Sequence, residues 1–216
     1  MDMEPKVIGI LGAGRVGSAL ARRALAAGYE VHIASSRGPE EIALALDFVA
    51  PGAIAQTSEE VVATSDIVIL ALPLARYRSL DPAWFDGKIV VDAMNYWAPT
   101  DGVLPEFEAA FSSAVIADYL PGARFLRAFN HLGYHEMDER AAPQGAPGRI
   151  ALAIAGDDAG ARKTLAGVID RMGFDPVDAG PLDNARAFNV GAPLFGAMLD
   201  RAGLQQALTT QTAIAA

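Results

Sequence analysis

The fold is decided by Lys6-Val7-Ile8-Gly9-Ile10-Leu11-Gly12-Ala13-Gly14-Arg15-Val16-Gly17, an apolar run that leads directly into the motif G-x-G-x-x-G. In such a motif Gly12 lets a strand turn sharply into a helix, and Gly14 lets the backbone approach a pyrophosphate. Gly17 lets the helix pack closely on the sheet. The helix N-terminus then offers unpaired N–H groups and a positive dipole end to phosphates. The stretch therefore predicts a dinucleotide site formed by Gly12, Ala13, Gly14, Arg15, Val16 and Gly17.

The surroundings of the motif support this interpretation more strongly than the motif itself. The chain has 21 glycines, so a bare G-x-G-x-x-G can arise by chance. Here an apolar strand precedes the motif, and a helix rich in Ala and Leu, predicted over 18–27, follows it. That helix ends before Gly28, which suits a left-handed cap. This order favours dinucleotide binding over a purely structural turn and cap.

The end of the second strand indicates which dinucleotide is bound. The predicted strand over 29–34 is followed by Ser35, Ser36 and Arg37. An NAD site places an Asp or Glu here to bind the ribose hydroxyls. A carboxylate would repel a 2′-phosphate, whereas the planar guanidinium of Arg37 and two hydroxyls can bind one. We therefore expect NADP rather than NAD, the alternative being a solvated polar loop that contains an arginine by chance.

Composition limits the class of protein. A chain of 216 residues with 52% hydrophobic content fits one globular domain with a small appendage. Because cysteine is absent, disulfides, thiolate catalysis and Cys-ligated metal sites are excluded. The net charge of −9 argues against a nucleic-acid partner. The longest apolar stretch, 190–199, contains two glycines and a proline and is too short to span a bilayer. With no signal-type apolar region before the first strand, we expect a cytoplasmic protein with no membrane partner.

Strands and helices alternate along most of the chain, which predicts an α/β fold with a doubly wound, mostly parallel sheet, that is, a Rossmann-type NADP-binding fold. We expect a Rossmann-like domain over 1–180 and a C-terminal helical segment over 181–216 that packs on it and on a second subunit. From Leu182 onward we expect a long helix or a pair of helices. Strands are predicted over 53–56, 66–73, 88–95, 124–130, 149–155 and 175–179, and helices over 39–49, 58–64 and 158–173.

Five motifs identify a family resemblance that extends from Val7 to the C-terminal segment. The chain resembles the NADP-dependent reductases of the deazaflavin coenzyme F-420, whose cofactor domain is also similar to that of some ferric reductases. The motifs are Ile10-Leu11-Gly12-Ala13-Gly14-Arg15-Val16-Gly17, Ala34-Ser35-Ser36-Arg37, Ala71-Leu72-Pro73, Arg127-Ala128-Phe129-Asn130 and Asp178-Ala179-Gly180-Pro181-Leu182-Asp183-Asn184-Ala185-Arg186.

The resemblance implies hydride exchange between NADP(H) and a deazaflavin or flavin, in a homodimer whose C-terminal helices form part of the interface. By position, Gly12, Gly14, Arg15 and Val16 would bind the pyrophosphate, and Ser35, Ser36 and Arg37 the 2′-phosphate. Leu72, Pro73 and Asn130 would line the nicotinamide. The segment Asn95-Tyr96-Trp97-Ala98-Pro99 does not match the family, although it lies where the acceptor should bind. We expect the acceptor beside Asn95, Tyr96, Trp97 and His131.

The residue types near the predicted site argue against several other chemistries. Carbonyl reduction needs a proton donor, commonly Lys, His or Tyr. Lys6 and Lys88 begin strands and so lie at the wrong edge, and Lys163 lies in a helix. His131 and His135 have helical spacing, but Gly133 interrupts the helix between them, so no metal site is expected. Hydride transfer between stacked rings needs mainly orientation and exclusion of water, so no catalytic residue is assigned beyond possible roles for Asn130 and His131.

Two further functions stay open from the sequence. One is a non-catalytic NADP(H)-binding redox sensor, and the other is a small NADPH-dependent carbonyl reductase. A Rossmann-type fold can carry out either of these functions as well as hydride transfer to a deazaflavin or flavin. The fold therefore does not decide between the three functions.

Overall fold

A single eight-stranded sheet organises the computed structural model, which describes residues 4–215 and all of their side chains except those of residues 100 and 212–215. The strands are β1 (Val7–Leu11), β2 (Glu30–Ala34), β3 (Ile54–Ala55), β4 (Ile67–Leu70), β5 (Ile89–Asp92), β6 (Arg124–Arg127), β7 (Ala151–Gly156) and β8 (Asp175–Gly180). Their order across the sheet is β3-β2-β1-β4-β5-β6-β7-β8. All neighbouring strands run parallel except β6 and β7, which are antiparallel. The mostly parallel Rossmann-type sheet expected from the sequence is confirmed.

Helices cover both faces of this sheet. The α-helices are α1 (Arg15–Ala26), α2 (Pro39–Val49), α3 (Ser58–Thr64), α4 (Ala98–Asp101), α5 (Pro105–Ala109), α6 (Ser112–Tyr119), α7 (Tyr134–Glu139), α8 (Ala159–Arg171) and α9 (Arg201–Ala215). Three short 3-10 helices span Leu74–Ser79, Pro82–Phe85 and Leu182–Phe188. Within the described part of the chain, none of these helices has the length and hydropathy needed to cross a membrane.

The central strands owe their position to continuous apolar runs. Every residue of β4 is fully buried, because helices on both faces of the sheet cover it. One core layer includes α1, α2 and α8, and the opposite layer includes α3 and α6. A strand buried on both faces needs an apolar side chain at every position, which is why β4 shows no alternation.

Side chains cap the start of several helices, whereas α1 has no such cap. Thr57 and Glu60 form a capping box at α3, and the carboxylate of Asp158 accepts a hydrogen bond from the amide of Ala161 at α8. At α1 the N-cap is Gly14, whose position provides no side-chain acceptor, and no acidic residue lies in the first turn. The first amides of α1 are therefore available to a ligand.

The C-terminal segment differs from the sequence-based expectation of a long helix or helix pair from Leu182. After the 3-10 helix at 182–188 the chain has no regular helix until α9 begins at Arg201. The reason lies in Gly191 and Gly196, whose φ angles are 80° and 75°, and in Pro193, which lacks a backbone donor. The division into residues 1–180 and 181–216 stays a prediction, of which residues 1–3 and 216 lie outside the described chain.

The C-terminal segment nevertheless packs on the sheet. Phe188, Leu194, Leu204 and Leu208 are buried in a third apolar cluster against alanines of β7. Strand β6 is also shorter than the predicted 124–130. Beyond Arg127 the chain bends at Phe129, whose φ of 66° is rare for a residue with a side chain.

Candidate functional site

A cleft of about 1170 Å³ lies at the carboxyl ends of β1, β2 and β4. In a doubly wound sheet ligands bind at this edge, and the volume slightly exceeds the roughly 300–1,000 Å³ of an ordinary small-molecule pocket. The cleft is lined by Leu11, Gly12, Ala13, Gly14, Arg15, Val16, Ala34, Ser35, Ser36, Arg37, Ser58, Ala71, Leu72, Pro73, Arg76, Ser79, Leu80, Trp97, Asp101 and Tyr134.

The three glycines of the motif have different surroundings. A Cβ at Gly12, where φ is 123°, would lie 2.2 Å from the carbonyl oxygen of Ala71 at the end of β4. A Cβ at Gly17 would lie 1.8 Å from the carbonyl oxygen of Gly12, so α1 begins directly against the turn. A Cβ at Gly14 would meet nothing within 4 Å and would enter the cleft. Two glycines therefore permit the turn, and the third leaves space for a ligand next to the open amides of α1.

The part of the cleft next to the end of β2 combines cationic and hydroxyl groups. Ser36 and Arg37 are exposed at the end of β2, and the hydroxyl of Ser35 accepts a hydrogen bond from the Arg37 amide at 3.1 Å. Ser58 and Arg76, which follow β3 and β4, line the same cleft. Among the described residues no side-chain partner is found for the guanidinium groups of Arg37 or Arg76. This end of the cleft thus suits an anion with several acceptor oxygens, such as a phosphate.

Arg15 is held at the mouth of the cleft by an aromatic ring. Its Nη1 donates to the hydroxyl of Tyr134 at 3.1 Å, and its guanidinium carbon lies 5.6 Å from the ring centroid. Tyr134 begins α7, which packs on α1. The contact orders a long cationic side chain beside the free amides of α1, where a pyrophosphate would bind.

The other end of the cleft is apolar and aromatic. Leu72 and Pro73 follow β4, and Trp97, which is 55% exposed, follows β5. The amide of Trp97 donates to the carboxylate of Asp101 at 2.8 Å, which closes the short helix α4. Leu72, Pro73 and Trp97 thus give the cleft apolar side chains that a planar ring can contact.

The remaining residues predicted for the site do not line the cleft. The hydroxyl of Tyr96 is bonded to Gly102 and Leu104, and its ring packs in the core layer below. Asn95 is half-buried, and Asn130 and His131 are buried. The structure therefore brings Trp97 to the cleft without Asn95, Tyr96, Asn130 or His131. Gly17 lies beneath the turn and does not line the cleft itself.

His131 is buried and does not line the cleft in which a contact with the acceptor was expected. Its Nε2 accepts a hydrogen bond from the amide of Ala153 at 3.2 Å, so the neutral ring carries its proton on Nδ1. Its ring lies 5.0 Å from that of Phe188. Burial, reinforced by the positive charge of Arg127, lowers the pKa of His131 to about 3. The side chain is therefore neutral at physiological pH.

A buried ion pair joins the carboxyl ends of β5 and β6. Nη1 of Arg127, a residue with no exposed side-chain surface, donates to the carboxylate of Asp92 at 2.7 Å. Burial lowers the pKa of Arg127, and the carboxylate of Asp92 opposes that effect. The sequence comparison singled out Arg127 only as part of a motif and did not predict its partners.

Other titratable groups lie where the sequence places them. The ammonium of Lys88 donates to the carbonyl oxygens of Ala63 and Ser65, away from the cleft. The ring nitrogens of His32 form hydrogen bonds with the hydroxyl of Thr64 and the carboxylate of Glu30 beside β2. Within the described chain, no group of three His, Cys, Asp or Glu side chains is arranged to bind a metal ion.

The sequence analysis did not identify six of the residues that line the cleft, namely Ser58, Arg76, Ser79, Leu80, Asp101 and Tyr134. Arg76 and Tyr134 could have been suspected because each follows the carboxyl end of a strand. The sequence does not show that they converge, since 58 positions separate them.

Comparison with known proteins agrees with this geometry. The family model described as NADP oxidoreductase coenzyme F420-dependent matches residues 7–96, which include the glycine turn, Arg37, Arg76 and the strands that hold them. The match covers less than half of the chain, so the chain resembles this oxidoreductase family over the segment from β1 to the loop after β5. The open space at Gly14, the free amides of α1 and the cations of the cleft fit the NADP(H) that the family description names.

Individual relatives add less about the reaction. The rat metalloreductase STEAP3 is 30% identical over 184 residues, which cover 84% of this chain but 35% of that protein. The chain thus spans about a third of the length of this curated relative. A hypothetical protein from Sinorhizobium meliloti is 31% identical and covers 90% of this chain and 95% of its own, with a TM-score of 0.76. A candidate F420-dependent NADP reductase from Arthrobacter sp. FB24 is 22% identical, covering 96% and 92%, with a TM-score of 0.70, and shows the shared fold.

We predict that Gly14→Val abolishes NADPH binding while the protein stays folded. The backbone at Gly14 has φ −82° and ψ −167°, a region that valine adopts readily, and the new side chain would fill the space next to the α1 amides. Fluorescence titration with NADPH and far-UV circular dichroism measure the two effects. Gly167→Ala, in the open face of α8, is the control and should leave affinity unchanged. A native spectrum with unaltered affinity for Gly14→Val would show that the loop is only a turn.

We also predict a pH dependence of stability that His131 causes. In the unfolded chain histidine takes up a proton below about pH 6.5, whereas folded His131 stays neutral down to about pH 3. The unfolded state therefore binds more protons in this interval, so the free energy of unfolding falls as pH falls, by at most about 1.4 kcal/mol per unit. Urea unfolding at pH 7.5, 6 and 5 measures the slope. His131→Gln should show a shallower slope, and equal slopes would refute the assignment.

Proposed function

We propose that the protein transfers a hydride between NADP(H) and a deazaflavin or flavin acceptor. The observation that carries the proposal is the exposed indole of Trp97, which lines the same cleft as Leu72 and Pro73 at the end remote from Arg37. Bound NADPH supplies the hydride in such a reaction. The protein's contribution is to orient two planar rings and to exclude water between them.

The cofactor end is proposed to select NADP over NAD. Ser35, Ser36 and Arg37 replace the carboxylate that would bind a free ribose, and Ser58 supplies a further hydroxyl in the cleft. Leu72 and Pro73 are proposed to contact the nicotinamide. Asn130, which the sequence comparison placed there, is buried behind the cleft lining, and its amide donates to the carbonyl of Phe188 at 2.9 Å. We therefore assign it no contact with the ring.

Tyr134 supports a second candidate function, the reduction of a small carbonyl compound. Its hydroxyl lies in the cleft and accepts a hydrogen bond from Arg15, which leaves its own proton free to be donated to a carbonyl oxygen bound there. Sequence reasoning did not consider this tyrosine as an acid. If the carbonyl reaction is the true one, Tyr134→Phe should abolish it.

We propose that the protein is a homodimer formed through the C-terminal segment and that it is located in the cytoplasm. Much of the apolar surface expected to need a partner is buried within the chain itself, but Phe195 and Met198 remain 40% and 52% exposed. These two side chains are the apolar surface that a second subunit would cover.

We predict that Arg37→Ala weakens NADPH binding by a free energy on the order of 1.5–3 kcal/mol and leaves NADH binding nearly unchanged. A charge-assisted hydrogen bond to the 2′-phosphate is lost, and NADH has no such group. Fluorescence titration with both cofactors measures the difference, and wild type should prefer NADPH at least tenfold. Arg78→Ala is the matched control, because Arg78 bonds Tyr77 and Glu106 outside the cleft. Equal losses for both cofactors would contradict the assignment.

We predict that the purified protein oxidises NADPH when given an oxidised deazaflavin, or more slowly a free flavin, without added metal. Stopped-flow absorbance at the NADPH band, with a panel that includes simple carbonyls, measures turnover. Trp97→Ala should raise the KM for the acceptor more than the Kd for NADPH, whereas Trp84→Phe, outside the cleft lining, should change neither. Turnover of a carbonyl alone would favour the second function. Tight NADPH binding with no turnover would favour a redox sensor.

We predict that replacing Phe195 and Met198 together by Asp converts the dimer to a monomer, because two carboxylates cannot be buried without partners. Light scattering at tens of micromolar protein measures the mass. A wild-type protein that is monomeric and remains in solution under these conditions would contradict the dimer.

A further inference from the structure

The guanidinium of Arg127 connects three segments of the chain behind the acceptor end of the cleft. Its Nη1 donates to Asp92 at the end of β5 and to the carbonyl oxygen of Met94. Its Nη2 donates to the side-chain oxygens of Asn95 and Asn189, each at 3.0 Å. One buried side chain thus links strand β5, the loop that follows it and the C-terminal segment.

Both carboxylate oxygens of Asp92, the negative partner of this arginine, accept hydrogen bonds. One carboxylate oxygen of Asp92 accepts from the amide of Met94 at 2.9 Å, and the other accepts from the hydroxyl of Ser113 at 2.7 Å as well as from Arg127. A buried ion pair contributes little net stability relative to apolar packing of similar size, because desolvation offsets the attraction. In this protein the ion pair fixes the orientation of the Arg127 guanidinium and hence the directions of its other hydrogen bonds.

The hydrogen bonds of Arg127 hold the start of the loop of residues 93–102, which follows β5 and reaches the cleft. The Asn95 amide is held at both ends, since its oxygen accepts from Arg127 and its nitrogen donates to the carbonyl of Asn130 at 2.7 Å. Two residues later the same loop presents Trp97, and its last turn contains Asp101. The loop therefore leaves β5 in one direction only, and that direction determines where the indole lies.

We propose that Arg127 is a positioning residue for the acceptor, which holds the loop of residues 93–102 so that Trp97 lies beside Leu72 and Pro73. Through Asn189 the same guanidinium ties this loop to the C-terminal segment. The inference rests on the proposed hydride transfer for its kinetic consequence and on the hydrogen bonds alone for its structural one. Lysine could keep the ion pair with Asp92, but it lacks the planar fork that reaches both asparagine oxygens.

The experiment compares Arg127→Lys with wild type and with Arg149→Lys. Arg149 is a second buried arginine, whose partners Ala142, Asp170 and Asp175 do not line the cleft. For Arg127→Lys we expect a KM for the deazaflavin raised at least tenfold and a Kd for NADPH within twofold of wild type. For Arg149→Lys we expect both constants within twofold. A KM that does not change, or a proportional change of both constants in both variants, would overturn the proposal.

Two further measurements keep the test decisive. If Arg127→Lys does not fold, Asn189→Ala removes one hydrogen bond from the guanidinium to a neutral amide, and Asn95→Ala removes one such bond together with the Asn95 bond to the Asn130 carbonyl. Asn95→Ala should then raise the acceptor KM with NADPH affinity preserved, and an unchanged KM in both variants would refute the positioning role.

If wild type turns over no acceptor, hydride transfer fails but the structural claim remains testable. In a Trp84→Phe background, Trp97 is the single tryptophan, and the Arg127→Lys change should alter its quenching by acrylamide, whereas identical quenching would overturn the claim.

Discussion

The contact between the glycine turn and the end of β4 is the constraint on which the rest of the site depends. Neither Gly12 nor Gly17 has room for a Cβ, because the carbonyl oxygens of Ala71 and Gly12 occupy that space. This close approach fixes the point at which α1 begins and directs its first amides toward the cleft. A helix that started one residue later would point other amides at the ligand. The ability of the chain to bind an anion without a side-chain cap follows from this backbone contact.

Electrostatics distinguish the cleft from the rest of the surface. The chain carries a net charge of −9, yet the described lining of the cleft contains Arg15, Arg37 and Arg76 and a single carboxylate, Asp101. Because exposed charges are screened beyond about 10 Å in ordinary buffers, the nearby arginines and not the net charge decide what binds. An acidic protein can therefore bind a polyanionic cofactor and still repel nucleic acid along most of its surface.

The glycine turn and Arg37 could be placed in one cleft from the sequence for a physical reason. The turn, α1 and β2 are consecutive in the chain, so the position of Arg37 follows from local spacing once the fold is recognised. The C-terminal segment was predicted less well because its first part, from Phe188 to Leu199, is mostly apolar. Apolar residues there pack as an irregular chain against β7, and two glycines with positive φ prevent a continuous helix. Composition alone does not separate these two arrangements.

The contacts that orient several cleft side chains could not be predicted because they join residues distant in sequence. Tyr134 reaches Arg15 across 119 positions, and Arg127 reaches Asn189 across 62. Asn130 and His131 follow β6 at the correct edge of the sheet, but the bend at Phe129 carries them into the interior. An edge position is thus necessary for a cleft residue and does not suffice.

The family resemblance covers only one part of the site. The matched residues 7–96 contain the glycine turn, Arg37 and Arg76 and end just before Trp97. Arg127 and Asn189, which hold the loop that carries Trp97, lie outside that range. The proposed cofactor contacts therefore fall within the matched segment, whereas the proposed acceptor contacts depend on how a buried guanidinium and the C-terminal chain hold one loop. Two proteins that share the matched segment can thus present different surfaces to an acceptor, since the loop after β5 is set by contacts that this segment does not contain.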